Sequence, residues 1–265
     1  LTAKVIMSNC LIKIFKYNWM WKVPLVPWGA SGRTFPIVLI SFMILLGFAF
    51  VNNIVKGTTD LSETSNSVWR LTITAGLVYG ILLAVAFLLG PLKHRVHIST
   101  LGFGAGRSSY EKAESDGFLF QLRMILVTLS ALILINILWT LLIHTLSWDL
   151  FPSPEYPFMD NGTGALYLLV TGFLVIILGP FAEEVFFRGY ILPGLGHKTG
   201  TAGSLIISSL IFGFAHMSLS LVVPTFFMGL ILGLLYLRTK SVLSCTVAHG
   251  LQNGMAFLAL VLAGG

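Results

Sequence analysis

Six polar side chains that can do acid–base or hydrogen-bonding chemistry lie inside strongly apolar stretches of the last third of the sequence. They are Glu183, Glu184, Arg188, His216, His249 and Asn253. A charged residue at the centre of a spanning helix costs about 2.5–3.5 kcal/mol on insertion, so the first three cost about 7–10 kcal/mol if they are unpaired. Something must compensate that cost, and such residues are candidates for a functional site.

The spacing of these residues predicts which of them share a helix face. Glu184 and Arg188 are separated by four positions and can form an ion pair, whereas Glu183 points about 100° away and has no local partner. His249 and Asn253 have the same spacing of four. Because unsatisfied polar groups in hydrocarbon need one another, the interior of a helix bundle can bring the three groups together. The alternative is that the glutamates lie at the membrane surface and that each histidine is a hydrogen-bonded structural residue.

The composition is that of an integral membrane protein. Of 265 residues, 56% are hydrophobic and only 10% are charged, against about 25% charged in soluble domains. The two cysteines and the 27 glycines, which have no period, exclude a disulfide scaffold and a collagen-like repeat. The net charge of +6 does not indicate nucleic-acid binding, because the basic residues lie in short loops between apolar runs.

The apolar runs predict an all-α polytopic membrane helix bundle. Seven runs are close to the roughly 20 residues that a spanning helix needs: 35–55, 71–90, 122–147, 165–182 (continuing to about 192), 201–217, 220–237 and 242–263. Residues 5–21 would add an eighth span if they insert. We divide the chain into a basic, tryptophan-containing interfacial segment 1–34, an N-terminal helical part 35–160 with a cytoplasmic loop, and a membrane domain 161–265 that carries the polar groups.

The lysines and arginines predict the orientation. Loops rich in these residues alternate with poor ones along the chain, as the positive-inside rule requires. We therefore expect a multi-pass plasma-membrane protein with a cytoplasmic N-terminus. His94, His97 and His197 lie in predicted loops and His144 near an outer helix end, and none of them is given a role.

The three polar groups resemble the motifs of the CPBP family of intramembrane proteases, also called the ABI family. The family, which includes the Ras-converting CAAX prenyl endopeptidases and many prokaryotic proteins, has the pattern Glu-Glu-x-x-x-Arg, then Phe-x-x-x-His, then His-x-x-x-Asn. Here the three motifs are Glu183-Glu184-x-x-x-Arg188, Phe212-x-x-x-His216 and His249-x-x-x-Asn253. The resemblance covers about residues 165–260 and makes 161–265 a CPBP-like catalytic domain.

The resemblance implies peptide hydrolysis in the membrane, which needs a water, a base to activate it and donors for the oxyanion. By the family's first-glutamate position, Glu183 is the general base, and His216 holds the same water. His249 and Asn253 donate to the oxyanion, while Glu184 and Arg188 orient the other groups. The implied partners are membrane lipids and a membrane-associated protein or peptide, with prenylated CAAX peptides as the family archetype.

Other mechanisms and functions stay open. Glu183, His216 and His249 would also make a catalytic zinc set with a fourth position for water. Since the His-Glu-x-x-His helix signature is absent, we favour a glutamate mechanism that requires no cofactor. The same scaffold could instead serve a non-catalytic membrane adaptor or bacteriocin-immunity protein. A transporter is a further alternative, and the lack of inverted repeats counts against it.

The predicted spans place Glu183 and His216 at different depths. Glu183 falls near the inner face, whereas His216 falls about 23 Å away towards the outer face at about 1.5 Å per residue. They can meet only if the glycine-containing segment 192–203 dips into the membrane or if the fourth span is shifted.

Overall fold

The computed structural model describes residues 22–30, 64–104, 117–146, 164–216 and 218–264. Within these ranges all regular structure is helical, which confirms the predicted all-α membrane bundle. The α-helices are α1 (Pro27–Ala30), α2 (Thr64–Phe87), α3 (Phe118–Leu146), α4 (Ala165–Phe173), α5 (Gly179–Glu184), α6 (Leu192–Ala215), α7 (Leu219–Thr239) and α8 (Val242–Gly264). Leu88–Leu92, Leu174–Leu178 and Val185–Ile191 are π-helical, and Ile98–Leu101 is a 3₁₀ helix.

Five helical stretches of the described chain are long and apolar enough to cross a membrane. They are Leu71–Leu92, Phe118–Leu146, Ala165–Ala215, Leu219–Thr239 and Val242–Leu262. Four of them coincide with predicted runs, and the 51-residue stretch Ala165–Ala215 contains both the fourth and the fifth predicted run. The predicted span 35–55 and the optional span 5–21 lie outside the described residues.

The stretch Ala165–Ala215 folds back on itself at Gly200. This residue has φ 67° and ψ −176°, a left-handed, extended conformation that glycine adopts without the strain a side chain would bring. The rings of Phe187 and Phe212 lie 5.0 Å apart, whereas a continuous helix would separate them by about 37 Å. Residues before and after Gly200 therefore form two antiparallel helices.

This hairpin resolves the difference in depth between Glu183 and His216. The first helix continues beyond the predicted limit of about 192, through the glycine-rich stretch to Thr199. Glu183 and His216 are therefore seventeen and sixteen positions from the turn at Gly200, and they lie at a similar depth. Of the two alternatives, an inward dip of 192–203 and a shifted fourth span, the hairpin corresponds to the shifted span.

The core of the bundle surrounds the segment that follows the two glutamates. Every residue from Val185 to Gly196 is buried, and the aliphatic side chains of α7 and α8 close over this segment. α3 packs against α7 and α8 at the periphery and exposes much of its apolar surface, as expected of a helix that faces lipid. The polar side chains between Val185 and Gly196 thus lie inside the protein.

Residues 22–30, which we call the N-terminal strap, pack onto this core. The Val23 amide donates to Thr201 Oγ1 at 3.1 Å, and the Trp28 indole Nε1 donates to the Tyr190 carbonyl oxygen at 3.1 Å. His197 Nε2 donates to the Val26 carbonyl oxygen at 3.1 Å. Trp28 is 2% exposed and stacks on Tyr190 at 5.7 Å, so within the predicted interfacial segment 1–34 this tryptophan is buried in protein.

Candidate active site

The fold brings the three polar groups of the sequence to one region of the bundle. Glu183 and Glu184 end α5, and Arg188 follows them in the π-helical segment Val185–Ile191. His216 lies at the end of α6, antiparallel to the glutamates, and α8 supplies His249 and Asn253. Helices that are far apart in sequence therefore contribute to one site.

Glu184 is the centre of a buried charged network. Arg188 Nη1 donates to Glu184 Oε1 at 2.8 Å, which confirms the predicted ion pair. Arg188 Nη2 also donates to the Gly229 carbonyl oxygen of α7 at 3.3 Å. His249 Nδ1 donates to the same Glu184 oxygen at 2.9 Å, because a carboxylate only accepts. With Glu184 fully buried, this network fixes α5, α7 and α8 relative to one another.

Each glutamate has an Oε2 atom that is buried and has no hydrogen-bond partner within the described chain, and Glu183 is distinguished by its exposure and by lying outside the ion pair with Arg188. Its side chain is 19% exposed, yet its Oε2 atom is buried and has no hydrogen-bond partner within the described chain. His249 Nε2 lies 3.9 Å from this oxygen, which is too far for a hydrogen bond. The spacing in the sequence does not distinguish the two glutamates, whereas the structure makes Glu184 the structural one and leaves Glu183 available.

His216 has a defined tautomer in this arrangement. Its Nδ1 lies 2.9 Å from the Phe212 carbonyl oxygen, which can only accept, so Nδ1 carries the proton. In the neutral ring Nε2 then carries a lone pair that can accept a hydrogen bond from water. The side chain is half-buried, which is consistent with contact with water.

Phe212 joins the polar groups, and this role was not predicted from the sequence. Its ring lies 5.0 Å from the His216 ring and 6.0 Å from the His249 ring, in edge-on contacts. The Arg188 guanidinium carbon lies 4.5 Å above the same ring, a cation–π geometry. The signal was its spacing of four residues from His216, which places both on one helix face. Phe212 thus explains physically why an aromatic residue suits the second motif.

Asn253 is partly engaged in holding the helices together. Its Nδ2 donates to the Val175 carbonyl oxygen at 3.0 Å, in the π-helical stretch Leu174–Leu178. One of its two amide protons is therefore used, and the second is available for a ligand. The expected role of Asn253 as an oxyanion donor can be met by that second proton alone.

Zinc was considered from the sequence as bound by Glu183, His216 and His249. Within the described ranges, no three His, Cys, Asp or Glu side chains are grouped as metal ligands. We therefore derive no catalytic step through a metal, and zinc binding stays an alternative that chelation can test.

Comparisons with known proteins support the resemblance that the motifs indicated. Residues 165–255 match a family described as Rce1-like, "Type II CAAX prenyl endopeptidase Rce1-like". The chain is 38% identical over 77 residues to a Bacillus subtilis (strain 168) protein named "Putative membrane peptidase YdiL". That match covers 29% of this chain and about a third (32%) of the relative. No solved structure matches the chain. The family match contains all six polar residues and confirms the resemblance to the CPBP family.

Proposed function

We propose, from the match of residues 165–255 to the Rce1-like family, that the protein is an intramembrane endopeptidase. In this proposal it hydrolyses peptide bonds of membrane-associated proteins or peptides, with Glu183 as the base that activates water. The observation that carries the proposal is that the Glu183 side chain is 19% exposed and lies outside the Glu184–Arg188 ion pair, with His249 Nε2 3.9 Å from its Oε2 atom. The exposed part of the carboxylate can meet water, and its Oε2 atom has no competing hydrogen bond within the described residues.

The reaction follows from these positions. Glu183 accepts a proton from a bound water, and the water oxygen attacks the carbonyl carbon of the peptide. The tetrahedral oxyanion then collapses, the carbon–nitrogen bond breaks, and Glu183 returns the proton to the leaving amine. General-base catalysis of this kind contributes about 10²–10⁴-fold to the rate.

The other site residues orient and stabilise these species. Protonated on both nitrogens, His249 would donate Nδ1–H to Glu184 and Nε2–H towards the oxyanion. The second amide proton of Asn253 can donate to the same oxygen, and His216 Nε2 can accept from the water. Glu184 and Arg188 hold the His249 ring in place, so their contribution is to position it rather than to react.

We extend the proposal to the substrate, the cofactor requirement and the route by which water and substrate enter. The lipid-facing apolar helices suit a substrate segment that is itself embedded in lipid or lipid-modified, and the CAAX peptide is the candidate that the family description suggests. We propose that no metal is required. The positive-inside rule places Lys198, Arg238 and Lys240 on the cytoplasmic side. Glu183 is about 22 Å along the helix from Lys198 at 1.5 Å per residue, so water and substrate would enter from the opposite end of the helices, next to His216.

The experiment that tests the proposal compares Glu183→Gln with Glu184→Gln on purified protein in lipid vesicles, using a library of prenylated and unmodified membrane peptides. Glu183→Gln should abolish cleavage and keep the thermal stability, because its carboxylate has no structural partner. Glu184→Gln should lower the stability, because it removes the partner of Arg188. Near-normal cleavage by Glu183→Gln would overturn the mechanism. An intact parent protein that cleaves no peptide in the library would favour the adaptor hypothesis.

A histidine pair provides a matched control. His216→Ala should abolish cleavage, whereas His97→Ala should not. The His97 side chain is exposed and accepts a hydrogen bond from the Ser99 amide, and it is far from the glutamates in the sequence. Equal loss in both variants would show that the assay reports general disruption of the protein.

A further inference from the structure

Tyr79 of α2 lies against the candidate site, although α2 is outside the segment that matches the family. A methyl group added to Gly179 would stand 2.6 Å from the Tyr79 hydroxyl oxygen and 2.9 Å from its ring carbon Cζ. The hydroxyl therefore rests directly on the backbone of Gly179, at the start of α5. Only a hydrogen atom fits between them, so the close approach of the two helices fixes the position of the hydroxyl.

The hydroxyl is one helical turn from the proposed base. Gly179 and Glu183 are four positions apart on α5 and share a face, where side chains are about 5–6 Å apart. The Glu183 carboxylate interacts electrostatically with Tyr79. Tyr79 itself is half-buried, and its hydroxyl lies against the face of α5 that carries Gly179 and Glu183.

A separation of about one helical turn between the Tyr79 hydroxyl and Glu183 suits the geometry of a reacting peptide carbonyl. Reacting atoms approach within about 3–3.5 Å, and oxyanion donors lie about 2.7–3.1 Å from the oxyanion. A carbonyl group attacked by the water on Glu183 therefore places its oxygen roughly one helical turn from the carboxylate. One amide proton of Asn253 already donates to the Val175 carbonyl oxygen, so Asn253 offers one proton at most, and a third donor beside Asn253 and His249 would complete the hydrogen bonding of the oxyanion.

We propose that Tyr79 is a catalytic residue of the proposed peptidase, whose hydroxyl donates a hydrogen bond to the oxyanion of the tetrahedral intermediate. The proton stays on the tyrosine oxygen throughout, so no further acid or base is involved. The inference rests on the proposed function. It also assigns a chemical role to the N-terminal half of the chain. The motifs lie within residues 165–260 and indicate no role for that half.

The test uses Tyr79→Phe, which removes one oxygen atom and keeps the ring that packs against Gly179. On a cleaved peptide in lipid vesicles we expect kcat to fall about 100-fold, as for the loss of one oxyanion donor, with KM within about twofold of the parent. The matched control is Tyr190→Phe. The Tyr190 hydroxyl is buried and has no hydrogen-bond partner within the described residues, so the same substitution there should leave kcat unchanged.

A second measurement separates a donor to the oxyanion from a packing residue. A peptide with a tetrahedral phosphinate in place of the scissile amide should bind about 100-fold more weakly to Tyr79→Phe than to the parent. The uncleaved amide peptide, measured on a Glu183→Gln background, should bind equally with and without the Tyr79 hydroxyl.

The outcomes are distinguishable from failure of the proposed function. If the parent cleaves in a Glu183-dependent way and Tyr79→Phe retains full kcat, this inference alone is overturned. Equal weakening of the phosphinate and the amide peptide would also overturn it, since it would indicate a packing role. If the parent cleaves nothing, the peptidase proposal fails and this inference fails with it.

Discussion

Removing the Arg188 side chain should destabilise the protein strongly. Arg188→Ala eliminates the 2.8 Å ion pair with Glu184, the hydrogen bond to the Gly229 carbonyl oxygen and the cation–π contact with Phe212. Glu184 is fully buried, so its charge would remain in a low-dielectric interior without its arginine partner. Breaking a buried pair in this way costs about 3–5 kcal/mol. The contact with Phe212 adds about 0.5–2 kcal/mol.

The assay is the free energy of unfolding in mixed detergent, compared among Arg188→Ala, Arg238→Ala and the parent. Arg238 lies 5.7 Å from the Phe120 ring near the end of α7 and is partly exposed, so its removal should cost less than that of the buried Arg188. Glu184→Gln combined with Arg188→Met should recover part of the loss, because no buried charge is then left unpaired. Arg188→Ala protein as stable as the parent would refute the argument, since it would mean that water reaches the pair.

Three further results are expected. Activity should persist after exhaustive chelation, and inactivation that added zinc reverses would establish the metal mechanism instead. Cysteine at the exposed Lys198 should react with membrane-impermeant thiol reagents only in inverted vesicles, and cysteine at Glu155 only from outside intact cells. Cys10 is replaced for this experiment and the fully buried Cys245 is kept; labelling of position 198 in intact cells would invert the topology. Gly200→Ala should lower the free energy of unfolding by about 1–2 kcal/mol, because φ is 67° there, and an unchanged value would place the turn elsewhere.

The fold was predictable where hydropathy alone determines structure. The apolar runs gave the spanning helices of the described chain, because a backbone in lipid must satisfy its hydrogen bonds internally. The boundary between the fourth and fifth spans was not predictable in this way. Residues 193–200 are rich in glycine and polar groups and resemble a loop, yet they continue the helix because the strap and α7 pack around them. Tertiary packing there overrides local propensity.

The site was predictable where the partners are close in sequence. The spacing of Glu184 and Arg188 was sufficient for their ion pair, since both lie on one helix face. The assignment of Glu183 as the available base needed His249, which contacts Glu184 from 65 positions away. The engagement of Asn253 with the Val175 carbonyl oxygen depends on a π-helical stretch, which has no pattern in hydropathy.

The N-terminal strap has a consequence for the order in which the protein is assembled. Val23, Val26 and Trp28 find their hydrogen-bond partners 162 to 178 positions further along the chain. At about 5–20 residues per second, a ribosome makes those partners roughly 8–36 seconds after the strap itself. The strap therefore waits undocked while the intervening helices are inserted, and it closes on the bundle only when the helices that carry the glutamates are in place. The time at which the strap becomes resistant to protease during pulse-labelled synthesis would therefore show when the site is complete.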